Sequence, residues 1–158
     1  MSLDAAAAHF RALLAATGDA ELTPAGVLAL DDATLRAAGV SRQKTRYLRE
    51  LATRVEDGRL DLGDIHACDD DDAIAQLTSV PGIGPWTASV FLLFALRRRD
   101  LFPVGDRALQ VGTAEVLDLE DAPTGDDLAA IAARWAPRRS AAAVLVWHAY
   151  LARRGREM

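Results

Sequence analysis

The sequence has few of the residues and runs that mark several protein classes. Cys68 is its one cysteine, so no disulfide can form within the chain, and neither a zinc nor an iron–sulfur site can be built from thiolates. The longest apolar stretch, residues 88–96 with only Ser89 interrupting it, is far shorter than the ~20 residues that a membrane span needs. No charged and then apolar leader opens the chain. These absences favour a protein of the reducing cytosol, without membrane or cofactor.

Lysine is almost absent as well. Lys44 is the one lysine among 18 basic residues, and the others are arginine. The net charge of −5 argues against a protein that binds polyanions through its overall charge. The arginines are clustered, however, and arginine suits bidentate contacts with phosphate; a solvated surface or a GC-rich genome explains the same clusters. The clusters lie within residues 42–49, 97–99, 138–139 and 153–156.

Alanine and leucine dominate the apolar half of the chain, which favours helices over strands. The length of 158 residues suits one domain, residues 1–158, with a real hydrophobic core. Capping residues such as Thr23, Asp31 or Asp32, and Ser41 predict where helices begin. The predicted helices are Leu3–Ala16, a short one from Pro24, Ala33–Ala38, Arg42–Glu56, Asp70–Leu77, Trp86–Leu96, Asp106–Leu117, Thr124–Trp135 and Arg138–Arg153.

The helix predicted over Trp86–Leu96 is apolar almost all round, and such a helix is expected at the buried centre of a domain. No convincing strand, repeat or long linker is visible. The predicted fold class is therefore all-α, with the other helices packed on this one.

The turn before that helix reads Pro81-Gly82-Ile83-Gly84. Glycine permits a positive φ and a close approach of backbone to a ligand. The amides of Gly82, Gly84 and the next helix can then point at an anion such as a DNA phosphate, aided by the helix dipole. A turn between two helices that binds nothing is the alternative for these four residues.

The residues around this turn resemble a known family. Residues 77–88 are similar to the helix-hairpin-helix of DNA glycosylases, which reads L-x-x-(hydrophobic)-P-G-(hydrophobic)-G-x-x-T-A. Phe102-Pro103-Val104-Gly105-Asp106 matches the Gly/Pro-rich loop and essential Asp that follow the hairpin in that superfamily. Residues 38–44 resemble its G-(hydrophobic)-S-x-x-K segment. Residues 134–140 and 146–148 resemble the W-x-P-x-R-S…W tail of the 3-methyladenine type. The resemblance covers most of residues 28–150.

This resemblance implies roles for several residues. The phosphate-binding hairpin would be formed by Val80, Pro81, Gly82, Ile83, Gly84 and Thr87. Further contacts with the DNA backbone would come from Arg42, Lys44, Arg139 and Ser140. A monovalent cation could be held by the main-chain oxygens of Thr78, Val80 and Gly82, whereas no side-chain metal site is expected. The partner would be double-stranded DNA with a damaged base, bound by a monomer that lies in the cytoplasm with the nucleoid.

Asp106 begins a predicted helix, so an N-cap is the ordinary interpretation. The resemblance adds catalysis, because the superfamily's catalytic Asp also lies at a helix start. Its carboxylate would stabilise the oxocarbenium-like sugar that forms as the N-glycosidic bond breaks, and would orient or deprotonate the attacking water. The target base must first be flipped out of the duplex.

Trp86 indicates the subclass. Bifunctional relatives carry a lysine at this hairpin position and form a Schiff base with the sugar, so this chain is expected to remove bases without cutting the strand. The resemblance implies that Trp86 and Trp147 line an aromatic pocket for a cationic alkylated purine. Core packing is the alternative for both. Val90 stands where an aromatic partner is frequent, which predicts a pocket that is more open or that selects different bases.

Residues 2–7 resemble the part of a helix that follows a Q-Q or Q-L dipeptide in the family. The chain is therefore expected to lack the family's N-terminal part, with its DNA wedge and part of the base pocket. Three functions remain open. They are an alkylpurine glycosylase, a non-enzymatic helix-hairpin-helix DNA-binding module or inactive fragment, and a monofunctional glycosylase of other specificity.

Overall fold

The computed structural model describes the backbone of residues 3–156. Every regular element in this part of the chain is a helix, and none is a strand, as the composition predicts. Ser2 lies outside the described residues. It is the first residue of the segment 2–7, which resembles the part of a helix after the family's Q-Q or Q-L dipeptide. The helices are α1 (Leu3–Thr17), α2 (Pro24–Ala29), α3 (Asp32–Ala37), α4 (Arg42–Glu56), α5 (Leu62–Ala67), α6 (Asp70–Thr78), α7 (Pro85–Phe94), α8 (Arg107–Leu117), α9 (Gly125–Ala133) and α10 (Arg139–Ala152).

The predicted N-caps explain where three of these helices begin. The side chains of Thr23, Asp31 and Ser41 accept hydrogen bonds from backbone N–H groups three residues further on, which satisfies orphan donors of α2, α3 and α4. Helix α5 was not predicted, although α2 and α3, which have the same length, were. Its capping signal is present, since Asp61 Oδ1 accepts from Gly63 N at 2.7 Å.

Contacts divide the chain into two compact units. The first comprises the described residues up to 67 together with 79–82. In it, α4 packs against α2 and α3, and a core forms around Leu13, Leu35, Ala38 and Val40. The prediction of a single domain over residues 1–158 stays a prediction.

The second unit comprises residues 68–78 and the described residues from 83 onward. Here α8 packs along α10, α9 contacts both, and α6 packs on α7. The core of this unit takes side chains from α7, α8, α9, α10 and the loop before α8. Its buried members are Leu93, Phe102, Leu109, Leu128, Ala132, Ala143 and Val146.

Helix α7 is not buried on all sides, so that part of the prediction is wrong. Ala88, Leu92 and Leu93 are buried, but Trp86 is 49% exposed and Phe94 is 48% exposed. The apolar character that predicted a central helix instead gives α7 an uncovered apolar face at both of its ends.

None of the described helices is long and apolar enough to cross a lipid bilayer.

Gly112 lies in α8 where this helix packs against α10. A Cβ built there would lie 2.8 Å from Val146 Cγ1, 3.2 Å from Tyr150 Cβ and 3.2 Å from the carbonyl oxygen of Val146. Since Val146 is buried, these atoms have little room to withdraw. Glycine at this position therefore permits the close packing of the two helices.

We expect Gly112→Ala to lower the free energy of unfolding relative to Gly125→Ala by about 1–3 kcal/mol, because crowding in a packed interface costs that much. Gly125, in the first turn of α9, is the matched control, since a Cβ there meets nothing within 4 Å. Urea denaturation followed by circular dichroism measures both. Equal stability of the two variants would contradict close packing at Gly112.

Candidate active site

Asp106 is held at the start of α8 by local hydrogen bonds. Its Oδ1 accepts from Leu109 N at 2.9 Å, and its own N–H donates to Pro103 O at 2.9 Å. The loop before it is anchored, because Leu101, Phe102 and Pro103 are buried. The predicted N-cap is therefore confirmed, and the carboxylate stands at a fixed point of the second unit.

Both predicted pocket tryptophans donate hydrogen bonds to this carboxylate. Trp86 Nε1, from the first turn of α7, donates to Asp106 Oδ2 at 2.8 Å. Trp147 Nε1, from α10, donates to Asp106 Oδ1 at 3.1 Å. Three residues that are far apart in the sequence thus meet at one carboxylate. Packing in the core is not the whole role of either indole.

The two indoles differ in how they are supported. Trp147 is partly buried and stacks on Phe94, with ring centroids 5.5 Å apart and planes at 25°. Trp86 is half exposed, and Val90, one turn further along α7, is partly buried. Sequence reasoning missed Phe94, whose only signal was an aromatic residue two turns after Trp86 on the same helix.

The hairpin, residues 79–85, begins in the first unit. Val80 is buried, and Arg54 Nη1 donates to the carbonyl oxygen of Ser79 at 2.8 Å. Gly82 has φ +92, and a Cβ there would lie 2.4 Å from Tyr47 Cδ2. This position requires glycine for both its backbone conformation and the closeness of the Tyr47 ring.

Gly84 differs from Gly82, since a Cβ at Gly84 would meet nothing within 4 Å. It is the N-cap of α7, with Pro85 following at the first helical position. No side chain caps this helix end. Within the described residues, the first amides of α7 therefore have no side-chain acceptor, and Thr87 beside them is exposed.

The four predicted contacts with the DNA backbone have different surroundings. Arg42 and Lys44 are exposed in the first turn of α4, in the first unit. In the second unit, the guanidinium of Arg139 forms a bidentate pair with Asp100, at 2.8 and 3.0 Å. Ser140 is buried, its hydroxyl bonding the N–H and carbonyl oxygen of Leu101. All four contacts with DNA stay predictions.

The Asp100–Arg139 pair is a feature that sequence reasoning missed. The backbone N–H of Arg139 also donates to Asp100 Oδ1, at 3.1 Å. The hydrogen bonds from Arg139 lower the pKa of Asp100 below its usual value. The same hydrogen bonds raise the pKa of Arg139. The pair ties the start of α10 to the loop after α7, in the same unit as Trp147. An acidic residue directly after Arg97–Arg99 was the available signal.

The described residues contain no group of three or more His, Cys, Asp or Glu side chains that could hold a metal ion. The predicted cation at the main-chain oxygens of Thr78, Val80 and Gly82 stays a prediction. Cys68 is partly buried near the start of α6, where Gln76 Nε2 lies 3.8 Å from its sulfur.

The family model described as "HhH-GPD superfamily base excision DNA repair protein" matches residues 1–138. This chain therefore belongs to the HhH-GPD superfamily, as the hairpin, the loop and Asp106 had indicated.

Individual relatives agree with this assignment. A crystal structure of DNA-3-methyladenine glycosidase from Bacillus halodurans is 35% identical with a TM-score of 0.83, and the match covers 95% of this chain and 69% of that one. The Schizosaccharomyces pombe 3-methyladenine DNA glycosylase in complex with abasic DNA is 27% identical with a TM-score of 0.81, covering 93% and 72%. DNA-3-methyladenine glycosylase 2 of Escherichia coli is 29% identical over 129 residues, 80% of this chain and 42% of that protein. The matches cover between 21% and 59% of the length of the curated relatives.

The two hairpin glycines respond differently to substitution. Gly82→Ala places a side chain at a positive φ and against the ring of Tyr47, so we expect it to destabilise the protein by about 1–3 kcal/mol. Gly84→Ala is the matched control, because its φ of −93 and open surroundings accept a methyl group. Thermal unfolding of both variants measures this. Equal losses would show that Gly82 is not the position that requires glycine.

The Asp100–Arg139 pair predicts a dependence of stability on pH. The pKa of Asp100 is lowered in the folded state, so its stabilisation is fully present above the unfolded value of 3.8 and is lost as the pH falls through the folded pKa. Asp100→Asn should therefore lower the melting temperature at pH 7, and this deficit should shrink below pH 3.8.

The control for this experiment is Asp121→Asn, which changes an exposed carboxylate away from the pair. Melting temperatures of the three proteins between pH 7 and pH 3 give the comparison. A deficit for Asp100→Asn that is the same at every pH would show that the charge of this carboxylate does not matter.

Proposed function

We propose that this chain is a monofunctional DNA glycosylase that hydrolyses the N-glycosidic bond of alkylated purines such as 3-methyladenine and 7-methylguanine. The observation that carries the proposal is the carboxylate of Asp106, held at a helix start by two indole N–H groups. The matched relatives that are named 3-methyladenine glycosylases support the substrate class.

Asp106 supplies the charge that the reaction needs. When the bond between C1′ and the purine nitrogen breaks, both electrons leave with the base and the sugar becomes oxocarbenium-like. A fixed carboxylate stabilises that cation without reorganising as it forms. The oxygen of a water then bonds to C1′, and the proton of that water passes to the carboxylate or to solvent. No lysine lies in the hairpin to form a Schiff base, so the strand stays intact.

Trp86 and Trp147 present aromatic surface beside the carboxylate. Alkylation at N3 or N7 makes a purine cationic, and a cation over an indole face gains about 0.5–2 kcal/mol. The same positive charge makes the purine a better leaving group. Val90, rather than an aromatic residue, lies one turn after Trp86 and leaves more room on this side of α7.

The start of α7 offers backbone donors to a DNA phosphate. Its N-cap, Gly84, has no side chain, and Pro85 at the first helical position has no N–H of its own. The next amides are open to an anion at the positive end of the helix dipole. Contacts of this kind position a duplex without reading its sequence. These donors support double-stranded DNA as the partner, whereas binding by a monomer in the nucleoid stays a prediction.

We expect Asp106→Asn to slow the release of 3-methyladenine from alkylated duplex DNA by at least 10²-fold, the order found when one strong electrostatic contact to a transition state is lost. Asp31→Asn is the matched control, because Asp31 also caps a helix through a hydrogen bond to the N–H three residues on. Chromatography of the released bases gives the rates. Breaks should appear in the DNA only after alkali.

Two outcomes would contradict this proposal. Salt-dependent DNA binding without release of any alkylated purine would favour a helix-hairpin-helix module that only binds DNA. Release that is equally fast in Asp106→Asn would remove Asp106 from the reaction.

A further inference from the structure

We propose that Trp86 and Trp147 are positioning residues, whose indole N–H groups orient the Asp106 carboxylate so that Oδ2 is the oxygen that meets the sugar or its attacking water. This inference rests on the proposed glycosylase function and deepens it. It gives the two indoles a role at their edges, in addition to any stacking on their faces.

The carboxylate has nearly all of its acceptor positions occupied. A carboxylate offers about four lone-pair positions, two on each oxygen. Oδ1 takes two donors, Leu109 N at 2.9 Å and Trp147 Nε1 at 3.1 Å. Oδ2 takes Trp86 Nε1 at 2.8 Å. Among the described residues, one acceptor position is therefore left, and it is on Oδ2.

The donors come from three helices, which prevents the carboxylate from rotating. Leu109 belongs to α8, Trp86 to α7 and Trp147 to α10. Phe94 of α7 stacks on the ring of Trp147 and limits how far that ring can turn. A carboxylate held by its backbone alone could rotate about χ2, which is a soft torsion for Asp.

The indoles are suited to this task because they are neutral donors. An arginine or lysine at the same distance would place a positive charge beside the carboxylate and oppose its attraction to a cationic sugar. An indole N–H orients the oxygen and leaves the negative charge uncompensated. The face of the Trp86 ring stays available, since Trp86 is half exposed while its edge is bonded.

A spectroscopic experiment tests the hydrogen bonds without needing activity. The chain has three tryptophans, so a nitrogen–proton correlation spectrum of the labelled protein has three indole signals, which Trp→Phe variants at each position assign. In Asp106→Ala, we expect the signals of Trp86 and Trp147 to move and that of Trp135 to stay. Trp135 is the internal control, because it packs on Phe102 in the same unit without bonding Asp106. Unmoved signals of Trp86 and Trp147 would overturn the proposal.

A kinetic experiment separates positioning from stacking. Trp86→Phe and Trp147→Phe keep an aromatic face but remove the N–H donor. We expect each to lower the single-turnover rate of base release by about 10- to 100-fold, the range found for residues that orient the ligands of a catalytic metal. The affinity for alkylated DNA should change by less than about 3-fold, since a ring remains to stack. Trp135→Phe, checked for folding by circular dichroism, should keep both values.

The two experiments distinguish failure of this inference from failure of the proposed function. If the unaltered protein releases no base while the signals of Trp86 and Trp147 still respond to Asp106→Ala, the proposed glycosylase function is wrong. The hydrogen bonds from the two indoles to the Asp106 carboxylate are then still supported. If base is released but both Trp→Phe variants lose only affinity, the indoles act by stacking and the positioning role is wrong.

Discussion

The carboxylate of Asp106 is the group around which the candidate site is built. It caps α8 through Leu109 N and is also the common acceptor for indoles from α7 and α10. One side chain thus fixes a helix end and orders two aromatic rings. Because each hydrogen bond to a charged group is directional and strong, a small displacement of any of the three helices would break one of them.

The rest of the second unit maintains that geometry. Gly112 lets α8 pack closely against Val146 and Tyr150 of α10, the helix that carries Trp147. The Asp100–Arg139 pair fixes the start of α10. The apolar core supplies the bulk of the stabilisation, whereas these specific contacts determine where the helices stand. Stability and site geometry are therefore coupled in this unit.

Local interactions made much of the fold predictable. The predicted bounds of α4 agree with the structure, and the caps at Thr23, Ser41 and Asp106 were found, because a cap bonds to an N–H only three residues away. Short α5 was missed although Asp61 offered a capping signal. The burial of α7 was overestimated for a different reason. An apolar sequence records what a helix could bury, while its exposure depends on which neighbours cover it.

By itself, the sequence determined the helical class, the glycine turn, the capping Asp106 and the identity of the aromatic residues, and through them the HhH-GPD family. Only the tertiary structure decided which oxygen each indole bonds, that Phe94 supports Trp147, and that Arg139 has a carboxylate partner. The physical reason is the range of the interactions. Caps and turns are settled within a few residues, whereas contacts between α7, α8 and α10 depend on how whole helices pack.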